Sequence, residues 1–330
     1  MYSVRLGIVI VSFNVRDLLR SCLTSVFSAA QAPDLDYNVV VVDNASVDDS
    51  AAMVGTEFPQ AALIASQENL GFARGNNVGL RALGFEAPAG GAATPPDAVL
   101  LLNPDTEVQL GALAALAGFL HAHPQAGGCG PTLHYGDGSF QHSAFHFPGL
   151  TQLALDLFPA SSRLHGRLHN SRLNGRYPLR LYERGHPFRV DFTLGAALMV
   201  RRAAIEAAGL LDEAYFMYAE EMDWCRRMRT AGWPLYCVPA AHITHHEGRS
   251  ARQFRGAMIQ ALWRSRLRYY HRHYPAWKQW AARRLVAVGM RAEIRRSRAA
   301  FLHGDISSVE LETRLDAYRQ VLTLVSGAPI

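Results

Sequence analysis

Ala98-Val99-Leu100-Leu101-Leu102-Asn103-Pro104-Asp105 is the stretch on which the fold turns. Five consecutive apolar residues without polar alternation read as a strand buried on both faces, the kind found inside parallel sheets. Asn103-Pro104 then breaks the strand, and a carboxylate stands at the break. In open α/β sheets, ligands collect beyond the carboxyl ends of the strands. Two readings of Asp105 stay open here. With Thr106 and Glu107 behind it, it has the chemistry to hold a divalent cation against a diphosphate. Equally, Asp105 or Thr106 can cap the helix expected from near Gly111.

Outward from this strand the pattern repeats. Leu6–Ser12, Tyr37–Val42 and Ala61–Ser66 are short apolar runs rich in β-branched residues, read as buried strands. Between them, Leu18, Leu19, Cys22, Leu23, Val26 and Phe27 keep a helical period within Val15–Ala29. Asp48 and Asp49 open a second helix through about Phe58, and Gly75–Phe85 forms a third. Strands alternating with helices predict an α/β fold, a doubly wound, mostly parallel sheet flanked by helices. Residues 87–96, rich in Gly, Ala and Pro, read as a surface loop. Residues 136–189 show no clear period and read as long loops and short helices where an acceptor docks. Val190–Arg201 returns to strand character, Ile205–Ala208 begins a helix ending at Gly209, and Leu235–Val238 is a further strand. Residues 251–301 and 309–325 read as helical. The expected division is a domain over 1–250 and a helical basic C-terminal extension over 251–330.

The chain has 330 residues, 49% of them apolar and 18% charged, which fits a folded protein and excludes a disordered one. Its net charge of +5 is unevenly placed. Within 252–298 stand twelve arginines and one lysine against the single acid Glu293. Such a stretch suits nucleic acid, anionic lipid or a phosphorylated substrate. No nucleic-acid-reading module accompanies it, which argues against nucleic acid. Trp263, Leu267, Tyr270, Tyr274, Trp277 and Trp280 interleave with the arginines, as in an interfacial helix making peripheral membrane contact. Packing of the same aromatics on the first domain is the other reading. The four cysteines, Cys22, Cys129, Cys225 and Cys237, lack metal spacing and fit a reducing compartment. The N-terminus runs into a strand without a cleavage pattern, and no apolar run reaches the roughly 18–20 residues of a membrane span. The expected location is therefore cytoplasmic, peripheral on the inner face of the plasma membrane.

Further polar groups stand where the strands end. Asp43-Asn44-Ala45-Ser46 offers a carboxylate for a base N–H, or an Asx-type cap. Asn69-Leu70-Gly71-Phe72-Ala73-Arg74-Gly75-Asn76-Asn77-Val78-Gly79 combines glycines that permit close backbone approach with Arg74, a partner for a phosphate oxygen. Its glycine spacing matches neither the dinucleotide nor the P-loop pattern. Tyr215-Phe216-Met217-Tyr218-Ala219-Glu220-Glu221-Met222-Asp223-Trp224 sets three carboxylates among aromatics at a helix start. They either favour the helix dipole or supply a general base in an apolar pocket. His242-Ile243-Thr244-His245-His246 ends a strand, and His245 or His246 offers a metal or phosphate contact. Zinc is disfavoured, since no second His/Cys pair lies at ligand spacing.

In this order the motifs resemble the GT-A glycosyltransferases of family 2, particularly the rhamnosyltransferase-like branch. The matching pieces are Ile10-Val11-Ser12-Phe13-Asn14, Val41–Ser46, Asn69–Ala73, Leu101–Asp105, Gly195–Arg202, Phe216–Arg226 and His245–Ser250, spanning about residues 4–275. The resemblance implies inverting, metal-dependent transfer of a sugar from a nucleotide diphosphate donor to a hydroxyl of a glycan or lipid-linked glycan, in cell-envelope polysaccharide synthesis. The branch points to dTDP-rhamnose as donor. Ser12, Asn14, Asp43, Asn44, Ser46, Asn69, Gly71, Phe72, Arg74, Asn76, Asn103 and Gly195 are then expected to bind the nucleotide sugar, Asp43 through its base. Asp105 takes the last position of the DxD-like motif and His245 the later metal contact, with His246 as its rival; the cofactor is Mg²⁺ or Mn²⁺. Asn103 replaces the first carboxylate of that motif. Glu221 stands where the family usually has Asp, keeping the carboxylate on an arm one methylene longer. Asp223 is the nearest substitute as base, or orients the acceptor. A non-catalytic nucleotide-sugar or glycan-binding module is the alternative. A sugar nucleotidyltransferase is disfavoured, because Ser12-Phe13-Asn14-Val15-Arg16 stands where its glycine-rich triphosphate loop belongs.

Overall fold

The structure is a computed structural model in which residues 4–29, 35–86, 94–158, 171–246 and 255–327 are described. The boundary expected at 250/251 and most of the loop expected at 87–96 fall outside these residues. Along the chain run β1 (Val4–Ser12), α1 (Arg16–Ala29), β2 (Leu35–Asp43), α2 (Ser50–Glu57), β3 (Ala62–Ala65) and α3 (Gly71–Ala82). Next come β4 (Ala98–Leu102), β5 (Thr106–Val108), α4 (Ala112–Ala122), β6 (Gly128–His134), β7 (Phe140–Gln141), β8 (Ala144–Phe145) and α5 (Leu150–Leu157). They are followed by α6 (Leu179–Glu183), β9 (Phe188–Val190), β10 (Phe192–Thr193), β11 (Ala197–Arg201), α7 (Arg202–Ala208), α8 (Glu220–Thr230) and β12 (Leu235–His245). The chain ends in α9 (Arg255–His273), α10 (Ala276–Leu302) and α11 (Ser308–Ser326).

Two compact units result. The first comprises Met1–Phe147, Tyr177–Phe216 and Glu220–Ser250, the second Pro148–Arg176, Met217–Ala219 and Ala251–Ile330. The first unit is built on a sheet of order β3-β2-β1-β4-β11-β6-β12-β5, with β7 and β9 added beside β6 and β12. Its N-terminal half, β3-β2-β1-β4, is wholly parallel, as the β-branched runs predict. β11 then enters antiparallel between β4 and β6. The register sets Ser12 beside Asp43 and Ile10 beside Leu102, so these strands finish together on one edge.

One face of the sheet packs Ile8, Ile10, Leu100 and Leu102 against Leu19, Cys22, Leu23 and Val26 of α1 and Leu113, Leu116 and Leu120 of α4. Each large apolar side chain buried this way contributes about 1.5–3 kcal/mol. α3 lies on the other face, and closely. A Cβ at Gly79 would stand 2.4 Å from Val9 Cγ1, and one at Gly75 2.9 Å from Val11 Cγ1. These two glycines of the Asn69–Gly79 motif therefore serve helix-to-strand contact.

Several expected elements are redrawn. Val190–Arg201 is no single strand: it breaks into β9, β10 and β11, leaving Leu194-Gly195-Ala196 as a connection. α3 starts at Gly71, four residues before the expected Gly75. The 251–301 helix is interrupted at Tyr274-Pro275, where proline has no N–H to continue α9 and instead precedes α10. In the second unit, Trp263, Leu267 and Tyr270 are buried, and only Trp277 and Trp280 of the expected aromatic stripe stand exposed. Tyr270 Oη donates to Gly149 O at 3.0 Å, and Gly289 lets α10 close onto Leu157 of α5.

Candidate active site

The loops after β1 and β2 interlock. Asn14 turns left-handed at φ 51°, its N–H donates to Ser46 Oγ at 3.0 Å, and its Oδ1 accepts from Val47 N at 2.8 Å. Asp43 accepts the Ser46 N–H on Oδ2 at 3.0 Å, an Asx-type turn and not the expected helix cap, since the N-cap of α2 is Asp49. That turn uses only one of its oxygens. Asp43 Oδ1 is buried and has no hydrogen-bond partner among the described residues, and the same holds for Ser12 Oγ, Asn44 Oδ1 and Asn103 Oδ1. Buried polar atoms are ordinarily paired, because an unpaired one costs its full desolvation. Their concentration at the carboxyl ends of β1, β2 and β4 is the pattern expected of atoms that meet a polar ligand.

The Asn69 motif frames this edge. Asn69 Oδ1 accepts from Gly71 N at 2.9 Å, Asn44 Nδ2 donates to Gly71 O at 3.1 Å, and Asn76 Nδ2 donates to Phe72 O at 2.9 Å. Phe72 N donates to Phe216 O at 2.7 Å, tying the start of α3 to the segment that leads into α8. Gly71, at φ 75°, permits this approach: a Cβ there would lie 2.3 Å from the Phe216 carbonyl oxygen. Asn77 grips the same segment twice, donating to Leu211 O at 2.9 Å and accepting from Leu211 N at 3.0 Å. Arg74, expected at a phosphate, is half-exposed and paired with Glu68 at 3.1 Å.

Asp105 and His245 are brought together by the β5–β12 ladder, in which His245 pairs with Thr106 and His246 N donates to Asp105 O. Both side chains are buried, with His245 Nε2 3.4 Å from Asp105 Oδ1. His245 Nδ1 lies 3.2 Å from Gln141 Oε1, a contact that holds the ring in place. Its other nitrogen, Nε2, faces the Asp105 carboxylate, and an imidazole nitrogen and a carboxylate oxygen are both ordinary donors to divalent metals. Such a donor pair fits a divalent cation, although no group of three His, Cys, Asp or Glu gathers there among the described residues. His246 turns elsewhere, to Glu107 at 2.9 Å. Neither Asp105 nor Thr106 caps α4: its N-cap is Gly111, and Thr106 Oγ1 donates to Asn103 O at 2.7 Å.

The carboxylates of α8 divide sharply. Asp223 is buried and held by Arg227 Nε at 2.8 Å, while the same guanidinium donates to Ala208 O and Leu210 O, fastening α8 to the end of α7. Glu220 and Glu221 each bury an Oε2 without a partner among the described residues. Burial pushes the Glu221 carboxyl up to about 7. Burial and the neighbouring Glu221 charge push Glu220 well above the ordinary carboxylate range. The chain enters α8 through two left-handed non-glycine residues, Tyr218 and Ala219, a strained conformation of the sort kept at functional sites. Gly195 lies against Glu221, its Cβ position 3.4 Å from Glu221 Cγ. Ala196 O accepts from Asn103 N at 2.9 Å, which sets this carboxylate beside the strand-end rim. The model of the family described as Glycosyl transferase family 2 matches residues 7–205, which contain most of that rim.

The chain belongs to glycosyl transferase family 2.

It is accordingly a glycosyltransferase, and its relatives agree. It is 29% identical over 303 residues to the N-acetylglucosaminyl-diphospho-decaprenol L-rhamnosyltransferase of Mycobacterium tuberculosis, covering 89% of this chain and 95% of that one. Over 83 residues it is 34% identical to rhamnosyltransferase WbbL of Escherichia coli K12, covering 25% of this chain and 31% of that protein. Solved structures share the fold at lower identity. GalNAc-T7 with UDP, GalNAc and Mn²⁺ superposes with a TM-score of 0.57 at 14% identity, over 98% of this chain and 57% of that one. The mannosyltransferase PcManGT from Pyrobaculum calidifontis, with GDP-Man and Mn²⁺, gives 0.55 at 15%, over 98% and 87%. The GT-A fold expected from the motifs is thus the fold of this family 2 glycosyltransferase.

Two site residues escaped the sequence. Gln141 sits on a two-residue strand in a region without period, so nothing in its surroundings marked it. Glu220 was visible beside Glu221, and the aromatics that flank it in sequence, Tyr215, Phe216, Tyr218 and Trp224, were the available signal.

Proposed function

We propose that the enzyme transfers rhamnose, with inversion, from a nucleotide diphosphate donor to a hydroxyl of a lipid-linked glycan on the cytoplasmic side of the membrane. The observation that carries this reading is the rim of buried, unpartnered oxygens on Ser12, Asp43, Asn44 and Asn103, with the Glu221 carboxyl beside it. The mycobacterial relative, an N-acetylglucosaminyl-diphospho-decaprenol L-rhamnosyltransferase, suggests the sugar and the class of acceptor. Asp43 Oδ1 accepts a hydrogen bond from the nucleotide, whose base and ribose lie across the Asn14–Ser46 and Asn69–Gly71 loops. Asp105 and His245 would hold a divalent cation, with Gln141 fixing the ring. Such a cation, when bound, stabilises negative charge on the departing diphosphate.

Glu221 is the base. An ionised carboxylate with a pKa near 7 both exists at neutral pH and accepts a proton readily. As the acceptor oxygen forms its bond to the anomeric carbon, its proton passes to Glu221 and the bond to the diphosphate breaks on the opposite face. Asp223 orients α8 through Arg227. Gly195 leaves the longer glutamate arm room to lie at the rim. Incubation with Mg²⁺ or Mn²⁺, a panel of nucleotide sugars and a short-chain polyprenyl diphospho-N-acetylglucosamine tests the reading. Release of nucleotide diphosphate with dTDP-rhamnose, dependent on the acceptor, is expected; preference for another donor sugar would overturn the rhamnose assignment.

A further inference from the structure

α10 buries one face, through Ala282, Val286, Gly289, Met290 and Ser297. Its opposite face is exposed along the whole helix, at spacings of three or four residues. Trp277 is 65% exposed, Trp280 61% and Val288 49%, and Arg284, Arg291 and Arg295 stand exposed in the same row. No acid falls on that row. Glu293, the one acid of the helix, is off it and paired with Arg296. Arg283, also off the row, donates to the carbonyls of Leu324, Val325 and Gly327 at the end of α11. Among the described residues the arginines of the stripe have neither task, except that the Arg284 guanidinium lies 5.5 Å from the Trp280 ring centroid. From Trp277 to Arg295 the stripe is about 27 Å long at a rise of roughly 1.5 Å per residue.

We infer that this stripe seats the enzyme on an anionic lipid surface, a proposal that rests on the reading of a lipid-linked acceptor. Tryptophan rings settle at the headgroup level with the indole N–H facing water, and arginines beside them meet lipid phosphates. A straight row of rings, one aliphatic side chain and cations on a single helix face suits a plane, not a pocket. A second copy of the chain is a poor occupant, since two such stripes would bring guanidinium groups together with no acid between them. Among the described residues no helix is long and apolar enough to cross a membrane, so the contact is one of lying on the surface.

Cosedimentation of the full chain with vesicles tests this. Wild type is expected to sediment with phosphatidylcholine vesicles containing phosphatidylglycerol and to remain in solution with pure phosphatidylcholine. Indole fluorescence should shift to the blue only with the anionic vesicles. The combined Arg284→Gln, Arg291→Gln and Arg295→Gln variant should lose about 100-fold in partitioning, at roughly fivefold per basic residue. Trp277→Ala with Trp280→Ala should weaken binding and abolish the blue shift. Both variants alter exposed positions and should keep wild-type circular dichroism and wild-type nucleotide diphosphate release with a short soluble acceptor. Equal binding to both vesicle types, wild-type binding by the arginine variant, or tighter retention on a single-stranded oligonucleotide than on anionic vesicles would overturn the proposal. Vesicle binding without sugar transfer would sink the acceptor reading and leave the surface standing; transfer without vesicle binding would do the reverse.

Discussion

The two edges of one sheet bury polar groups in opposite ways. At the amino ends of β1 and β4, Asp97 receives Arg5 N at 3.1 Å and faces the guanidinium groups of Arg5 and Arg202 at 3.5 and 3.6 Å. Beside it, Arg201 donates to the carbonyls of Leu120, His123 and Ala126, closing the end of α4. A cleft of about 310 Å³ opens there between Asp97, His121, Arg201 and Arg202, and its walls are charges already matched to protein partners. At the carboxyl ends the cost of burial is left standing on Ser12, Asp43, Asn44 and Asn103, and at the start of α8 on Glu220 and Glu221, which find no partner for these atoms among the described residues. The presence of a cleft would point to the first edge. The polar inventory chooses the second, and it is the better guide because a structural polar group normally finds its partner within the chain.

The sharpest way to break the contrast is at α8. Glu221→Gln should cut transfer by about 10²- to 10⁴-fold, the range for loss of a general base, with donor binding retained. Glu220→Gln should stay within a few-fold of wild type, because burial and the neighbouring Glu221 charge favour the neutral form of Glu220, which glutamine resembles. The reverse ranking would move the base to Glu220. In wild type the rate should fall as pH drops through about 7, since protonation removes the acceptor on Glu221. A flat profile across that range would remove Glu221 from the proton transfer.

Next in size is the Asp105 pair. Asp105→Ala should abolish cation-dependent donor binding by calorimetry, and Gln141→Leu should weaken it by about 10- to 100-fold, as expected for an outer partner of a ligating histidine. Unchanged affinity in Gln141→Leu would mean that Gln141 does not orient the His245 ring. At the opposite edge, Arg201→Ala should lower unfolding stability by about 2–3 kcal/mol, leaving carbonyls at the end of α4 without their charged donor. Its transfer rate per folded molecule should not change; a loss of rate would blur the distinction between the edges. The smallest effect is expected at Arg74→Ala, within a few-fold in donor KM, since its guanidinium is half-exposed and committed to Glu68.

Most of the strand-end edge was legible in the sequence because two periodicities meet there. Continuous β-branched runs mark parallel strands, and the polar residue that ends each run falls on the carboxyl edge by topology alone. β4 is bounded as expected, at Ala98–Leu102. What escaped depends on long-range pairing. β5, β9 and β10 have three or two residues each, too few to show alternation, yet β5 sets Asp105 against His245. Arg227 reaches Asp223 within α8 itself, but its bonds to Ala208 O and Leu210 O, which fix the pair in place, form only once α8 lies beside α7. The aromatic row of 263–280 misled because α9 and α10 are separate helices around Pro275, so residues that share a period in one long helix face different ways in two.

Gly71 sets a limit on how the gene can drift. Any other residue there must hold a left-handed backbone and push a carbon into the Phe216 carbonyl oxygen, which is main chain and has no side chain to swing aside. Relief can come only by moving the path into α8, away from the Phe72 N–H that holds it. A substitution at Gly71 therefore meets two costs at once, a left-handed backbone and a main-chain clash, and trimming a side chain elsewhere relieves neither.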